Sequence, residues 1–189
     1  MFTTLIILFF LVVIAVYVVN VYNGLINLQN QVKQSWSDIE VMLKRRLDLI
    51  PNLVNTVKGY ASHESQVFQA VTVARSALQT GLAGSNGAHQ LAEADNALSQ
   101  ALRSLFAVAE AYPQLQANTT FLQLQGELSG TEDKIAASRR YYNGSTRAYM
   151  TKKQQFPANI IVSFFKNFID YEYYETDDPT INTPPTVNF

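Results

Sequence analysis

"SWSDIEVMLKRRLDLIPNLVNTVKGYASHESQ", residues 35–66, decides the fold through its spacing. With Val32 ahead of it, the apolar positions Trp36, Ile39, Leu43, Leu47, Ile50, Val54 and Val57 step by threes and fours, as one face of a helix turned to a core does. Trp36, Ile39 and Leu43 are therefore expected to be buried. The phase survives Pro51, so a helix that kinks or restarts there without reversing is expected; Asp48 can cap the restart, and proline is tolerated in a first turn. Gly59 and the "YASHES" that follows place the first turn, with Ser62 as the N-cap of a second helix carrying Val67, Val71, Ala74 and Leu78. The stripe can also be threaded through Ala61, Glu64 and Phe68 without a break.

Upstream, every residue from Leu5 to Val19 is apolar or aromatic, and the first charged side chain is Lys33. Residues 2–21 supply the ~20 residues that, at ~1.5 Å each, cross a hydrocarbon core of ~30 Å, with Tyr17 and Tyr22 placed as interfacial aromatics. A cleaved signal peptide needs a basic start and a small-x-small cleavage pattern; this chain has neither, offering "VVNVYN" where cleavage would fall. An uncleaved membrane anchor, continuous with the helix behind it, is expected. Lys33 favours a cytoplasmic body by the positive-inside rule.

Downstream, "TGLAGSNG" (residues 80–87) has three glycines and reads as a loop. A third helix follows with Leu91, Ala94, Leu98, Ala101, Leu105 and Val108 on one face, until Tyr112-Pro113 interrupts it. A fourth runs from about Leu115 or Asn118 to about Gln155 and carries Phe121, Leu124, Leu128, Ile135, Tyr142 and Tyr149; Phe121, Leu124 and Leu128 are expected in the core. Gly126 and Gly130 weaken this helix without ending it, and Pro157 closes it. The reading is all-α: an N-terminal transmembrane helix (1–21), an antiparallel four-helix bundle (22–156), a short aromatic amphipathic helix (157–174) and a disordered tail (175–189). An even number of passes returns the chain to the end where it left the membrane. The short segment after Pro157 should therefore lie near the bilayer, with Ile161, Phe164, Phe165 and Phe168 as a membrane or subunit contact. The competing reading is that this face caps the open end of the core.

Several strings resemble the LemA family: "YNGLINLQNQVKQSWSDIEVMLKRRLDLIPNLVNTVKGYASHE" from Tyr22, "VARSAL" from Val73, "LFAVAEAYPQLQANTTFLQLQGELSGTEDKIAASRRYYNGSTRAYM" from Leu105 and "FPANII" from Phe156. The likeness covers all but the tail. It implies a membrane-anchored antiparallel bundle, and relatives encoded near a membrane zinc protease or used in building magnetosome membranes. Relatives that carry a lipobox cysteine just before the "YN" string imply a body outside the cytoplasm. This chain lacks that cysteine, and the side of the membrane stays open.

The search for chemistry returns little. Fourteen basic and 15 acidic residues nearly cancel, which leaves no footprint for nucleic acid. With no cysteine there is no disulfide, thiolate metal site or cysteine nucleophile. His63 and His89, the only histidines, sit in or beside turns, and neither follows a glutamate as a di-iron bundle site requires. The glycine loop lacks the lysine and hydroxyl of a P-loop, and no nucleophile elbow appears. The expectation is no catalysis, metal or cofactor.

Two readings fit Lys44, Arg45 and Arg46. One is a solvated face, salt-bridged by Glu40 and Asp48. The other is a cationic contact for a partner, joined by Arg139, Arg140 and Arg147 of the fourth helix. About twenty helical residues, ~30 Å, separate this cluster from the membrane exit, too far for anionic lipid. The paired Tyr141 and Tyr142 read as core-edge packing before a ligand platform. Two functions follow: a membrane scaffold that binds copies of itself or a membrane protein such as a protease, or a sensory module with a small molecule between its helices.

Overall fold

The structure, a computed structural model, describes residues 1–84 and 87–175. The expected disorder of the tail falls outside those residues, apart from Glu175. Among them there are six helices and no strand: α1 (Phe2–Lys58), α2 (Ser65–Ala83), α3 (Ala88–Glu110), α4 (Pro113–Gln116), α5 (Thr119–Gln154) and α6 (Ala158–Phe164). The chain forms two compact units, one of Met1–Ile39 with Ala137–Glu172, the other of Glu40–Ala136 with Tyr173–Phe189. α2 and α3 belong wholly to the second unit, where they pack on each other.

α1 neither stops nor restarts at Pro51. Proline has no N–H to give the carbonyl four residues back, and its ring crowds that carbonyl, which normally bends a helix. Here the ring is exposed on the outer face, and the carbonyl left over, that of Leu47, accepts a hydrogen bond from Arg75 Nε of α2 at 3.1 Å. A side chain from a neighbouring helix thus supplies the missing donor, so the helix needs no interruption.

The burial pattern is tighter than a 3.6-residue stripe. In α1 the positions Leu25, Val32, Ile39, Arg46 and Leu53 recur every seven residues, and all are buried. In α5 the buried Phe121, Leu128, Ile135, Tyr142 and Tyr149 do the same. A strict heptad spacing keeps one seam facing its partners along a long helix. It also corrects two expectations. Trp36 is half-buried because Ser35, whose hydroxyl donates to the Val32 carbonyl at 2.8 Å, takes the seam position between Val32 and Ile39. Leu124 is likewise only half-buried, flanking Phe121 and Leu128.

Two boundaries move. The turn after Lys58 places Ala61 in the core and puts Glu64, not Ser62, at the N-cap of α2, whose buried face is Phe68, Val71, Ala74 and Leu78. That helix also runs through the first four residues of the glycine-rich stretch, with Gly81 on the buried face three residues after Leu78. In contrast, Asn118 caps α5 as its residue type suggests, accepting from the Phe121 N–H at 3.0 Å.

Gly126 and Gly130 lie exposed on α5, and a Cβ at either would meet nothing within 4 Å. Neither has a positive φ. Each glycine costs helix stability through the freedom it retains when unfolded. Gly126→Ala and Gly130→Ala should each raise the unfolding free energy by about 0.5 to 1 kcal/mol, read from denaturant melts of the detergent-solubilised protein.

Candidate functional site

The cationic cluster of α1 does not act as a unit. Lys44 and Arg45 are exposed, but Arg46 is buried, which removes it from any contact surface. The reason is its place in the heptad seam, seven residues after Ile39 and seven before Leu53. Of the arginines in α5, Arg140 and Arg147 are exposed and Arg139 is half-buried. Lys44 and Arg45 belong to one unit, Arg139 and Arg140 to the other.

Arg46 organises a polar centre inside the second unit. Its Nη1 donates to Asp95 Oδ1 at 2.6 Å, and its Nη2 reaches Ser99 Oγ at 2.9 Å and Glu132 Oε2 at 3.1 Å. The Asp95 side chain is 0% exposed, whereas that of Glu132 is 45% exposed. The second Asp95 oxygen accepts from the hydroxyl of Tyr174, itself buried, at 3.0 Å. Ser99 Oγ donates back to the Asp95 carbonyl at 3.0 Å. An ionised pair taken out of water is costly unless its remaining hydrogen-bonding capacity is met; these neighbours meet that of both Nη atoms and both Asp95 oxygens, while the buried Arg46 Nε has no partner among the described residues. The centre holds α1, α3, α5 and the residues after α6 to one another within the unit.

The first unit ends in a strap. After α6 the chain lacks regular structure up to Glu175, yet α1 and α5 hold it by side chains that donate to its carbonyls. Gln29 Nε2 donates to the Asn167 carbonyl at 3.0 Å, Tyr149 OH to that of Ile169 at 2.9 Å and Tyr142 OH to that of Glu172 at 2.8 Å. Lys153 pairs with Asp170 at 2.7 Å. The rings of Phe165 and Phe168 lie 4.9 and 5.4 Å from that of Tyr22, whose hydroxyl accepts from Asn167 Nδ2 at 3.3 Å. Tyr142 serves as packing, its ring 5.3 Å from Trp36.

The expected contact face of the C-terminal segment is half inverted. Ile161 and Phe168 are buried, Ile161 with Ala158 on the inner side of α6 and Phe168 against Tyr22, so neither is available to lipid or a second subunit. Phe164 is 79% exposed and Phe165 partly so. The helix ends at Phe164, which breaks the helical phase on which the expected stripe of Ile161, Phe164, Phe165 and Phe168 depended. The large exposed apolar side chains here are instead Ile160 and Phe164, one turn apart on α6, and Phe156 just ahead of that helix.

Burial pushes the Tyr149 phenol up to about 12, aided by the nearby Tyr171 and Asp170. Burial also raises Tyr142, with Tyr171 and Glu172 adding to it and a hydrogen bond with Thr146 opposing it. In the unfolded chain these phenols ionise near the ordinary value of about 10. Above that pH the unfolded state loses protons that the folded state keeps, so this contribution, complete below pH ~10, is lost as pH rises toward ~12. Unfolding free energy should therefore fall between pH 10 and 12, and Tyr149→Phe should flatten that fall, read from denaturant melts across this range.

Other chemistry is sparse. No group of three or more histidine and acidic side chains able to hold a metal ion occurs among the described residues. His89 lies 3.5 Å from Glu93 on an exposed face. A shallow hollow of about 370 Å³ is lined by Tyr60, Tyr112, Pro113 and Gln114, with Asn118 donating to the Tyr60 hydroxyl at 3.0 Å.

One helix, α1, is long and apolar enough at its start to cross a membrane, and of residues 2–20 all but Val18 are exposed. An outward-facing apolar cylinder that runs without a break into a packed helical core defines a membrane-anchored helical protein. The LemA family profile matches residues 35–189, and the chain belongs to the LemA family. It is 27% identical to magnetosome protein MamQ 2 of Paramagnetospirillum magneticum strain AMB-1, an alignment that covers 86% of this chain and 67% of that protein. Magnetosome protein MamQ of Magnetospirillum gryphiswaldense is 26% identical with the same coverage. Protein LemA of Metamycoplasma hominis is 28% identical over 82% of this chain and 71% of its own length.

Proposed function

We propose that this LemA-type membrane protein is a non-catalytic scaffold, which presents its helical body to further copies of itself or to another membrane protein, such as a membrane protease. The observation that carries this reading is the unbroken α1: the apolar anchor and the seam of the packed body are one helix, so the body is held on its anchor without a flexible linker. Its buried polar centre at Arg46 and Asp95 serves cohesion, and Lys44, Arg45 and Arg140 stand exposed for a partner. Relatives named as magnetosome proteins suit the same reading.

Photo-crosslinking residues placed at Lys44 and at Arg140 should trap a protein neighbour in native membranes, and the detergent-solubilised chain should size above a monomer or carry that neighbour with it. A strict monomer with no crosslinks from either position would sink the proposal. If such a monomer were stabilised by a defined metabolite, the sensory reading would take its place.

A further inference from the structure

We infer that Phe156, Ile160 and Phe164 form a second membrane contact, an apolar ridge that enters the bilayer interface beside the point where α1 emerges. Ile160 is 50% exposed and Phe164 79%, one turn apart on α6, and Phe156, 80% exposed, stands in the turn two residues ahead of that helix. Ala158 and Ile161 take the opposite, buried side. Soluble surfaces carry single exposed apolar residues as a matter of course, but three large apolar side chains exposed within nine residues need an occupant.

The bilayer is that occupant because of where the ridge is pinned. Phe165 and Phe168 pack on the ring of Tyr22, and Asn167 bonds the hydroxyl of the same residue. Tyr22 follows directly on residues 2–21, the apolar stretch long enough to cross a membrane. Phe164, next to Phe165, is thus held at the end of the span. Ile160 is at most one helical turn further, about 6 Å, and an interfacial helix buries its apolar face about 5–10 Å into the headgroup and acyl boundary. Below the ridge, the buried Phe168 and the bonds from Gln29 and Tyr149 to the strap hold it in place. Two contacts of different kind, a spanning helix and a ridge beside it, would fix the rotation of the body about α1, which one spanning helix leaves free.

The inference rests on α1 spanning the bilayer, and the experiment reads that separately. The chain has no cysteine, so single cysteines can be spin-labelled in the full-length protein without removing any native residue first. Labels at Ile160→Cys and Phe164→Cys in lipid nanodiscs should favour oxygen over an aqueous nickel relaxant several-fold more than a label at the exposed Ser76→Cys of α2, and should approach the ratio of Phe10→Cys inside the span. A label at Phe164 as open to nickel as that at Ser76, with Phe10 still in lipid, would overturn the ridge and leave the anchor intact. If Phe10 were also aqueous, the spanning reading itself would fail and the ridge with it. Shielding from both relaxants, with spin broadening relieved by unlabelled protein, would assign the face to a second copy and likewise overturn the inference. These positions are exposed, so unchanged melting temperatures confirm that the labels leave the fold in place.

Discussion

Asp95→Ala should lower the unfolding free energy by about 3 kcal/mol, because removing one partner of a buried ion pair strands the other charge away from water. The range for such losses is about 3 to 5 kcal/mol, and the lower end applies here since Glu132 still stands 3.1 Å from Arg46 with access to solvent. For a chain of this size that corresponds to a melting temperature lower by roughly 6 to 12 °C in detergent. The decisive comparison is the double variant Arg46→Met with Asp95→Leu. Replacing both charges by apolar groups of similar volume removes the stranded charge, so the pair should unfold with a smaller loss than Asp95→Ala alone. A double variant no better than the sum of its singles would show that packing, not the ion pair, dominates this centre.

Tyr174→Ala should cost about 3 to 5 kcal/mol, the range for deleting a large buried aromatic, although it lies beyond the last helix in a segment without regular structure. Tyr174→Phe separates the two parts of the effect. It keeps the ring and removes only the donor to Asp95, a hydrogen bond to a charged group worth about 1.5 to 3 kcal/mol. The two sites touch, so Tyr174→Phe should cost clearly less in an Asp95→Ala background than in the wild type. Equal cost in both backgrounds would mean that the hydroxyl acts elsewhere.

Much of the architecture was legible because apolar periodicity is set by the helix itself: α1, α3 and the long α5 follow from it, as does the break at Tyr112-Pro113. The misreadings share a cause. Residue type alone groups Arg46 with its exposed neighbours Lys44 and Arg45. Yet the residues seven before and seven after it, Ile39 and Leu53, are both apolar, which is the signal that marks it as interior. Asp95 gives the same signal more faintly, four after Leu91 and three before Leu98. The glycine-rich stretch from Thr80 reads as a loop, although α2 continues through its first four residues, with Gly81 on the buried face. The strap was beyond reach for a different reason. It is fixed by donors to backbone carbonyls, which carry no sequence, and a tyrosine that packs at the end of an irregular segment leaves no periodic trace.

The bond between Tyr174 and Asp95 joins residues 79 apart, and that separation has a meaning in time. Synthesis proceeds from the N-terminus at about 5 to 20 residues per second, so roughly 4 to 16 s pass between the making of Asp95 and the making of the tyrosine that completes its shell. All six helices are already on the ribosome's output by then. A nascent chain that has reached position 173, or one ended by a nonsense codon between positions 165 and 174, carries all six of these helices but an unfinished charge centre. The last described residues thus act as a completion mark, and a truncated product would differ from the finished protein in how often its core opens to a protease rather than in its helix content.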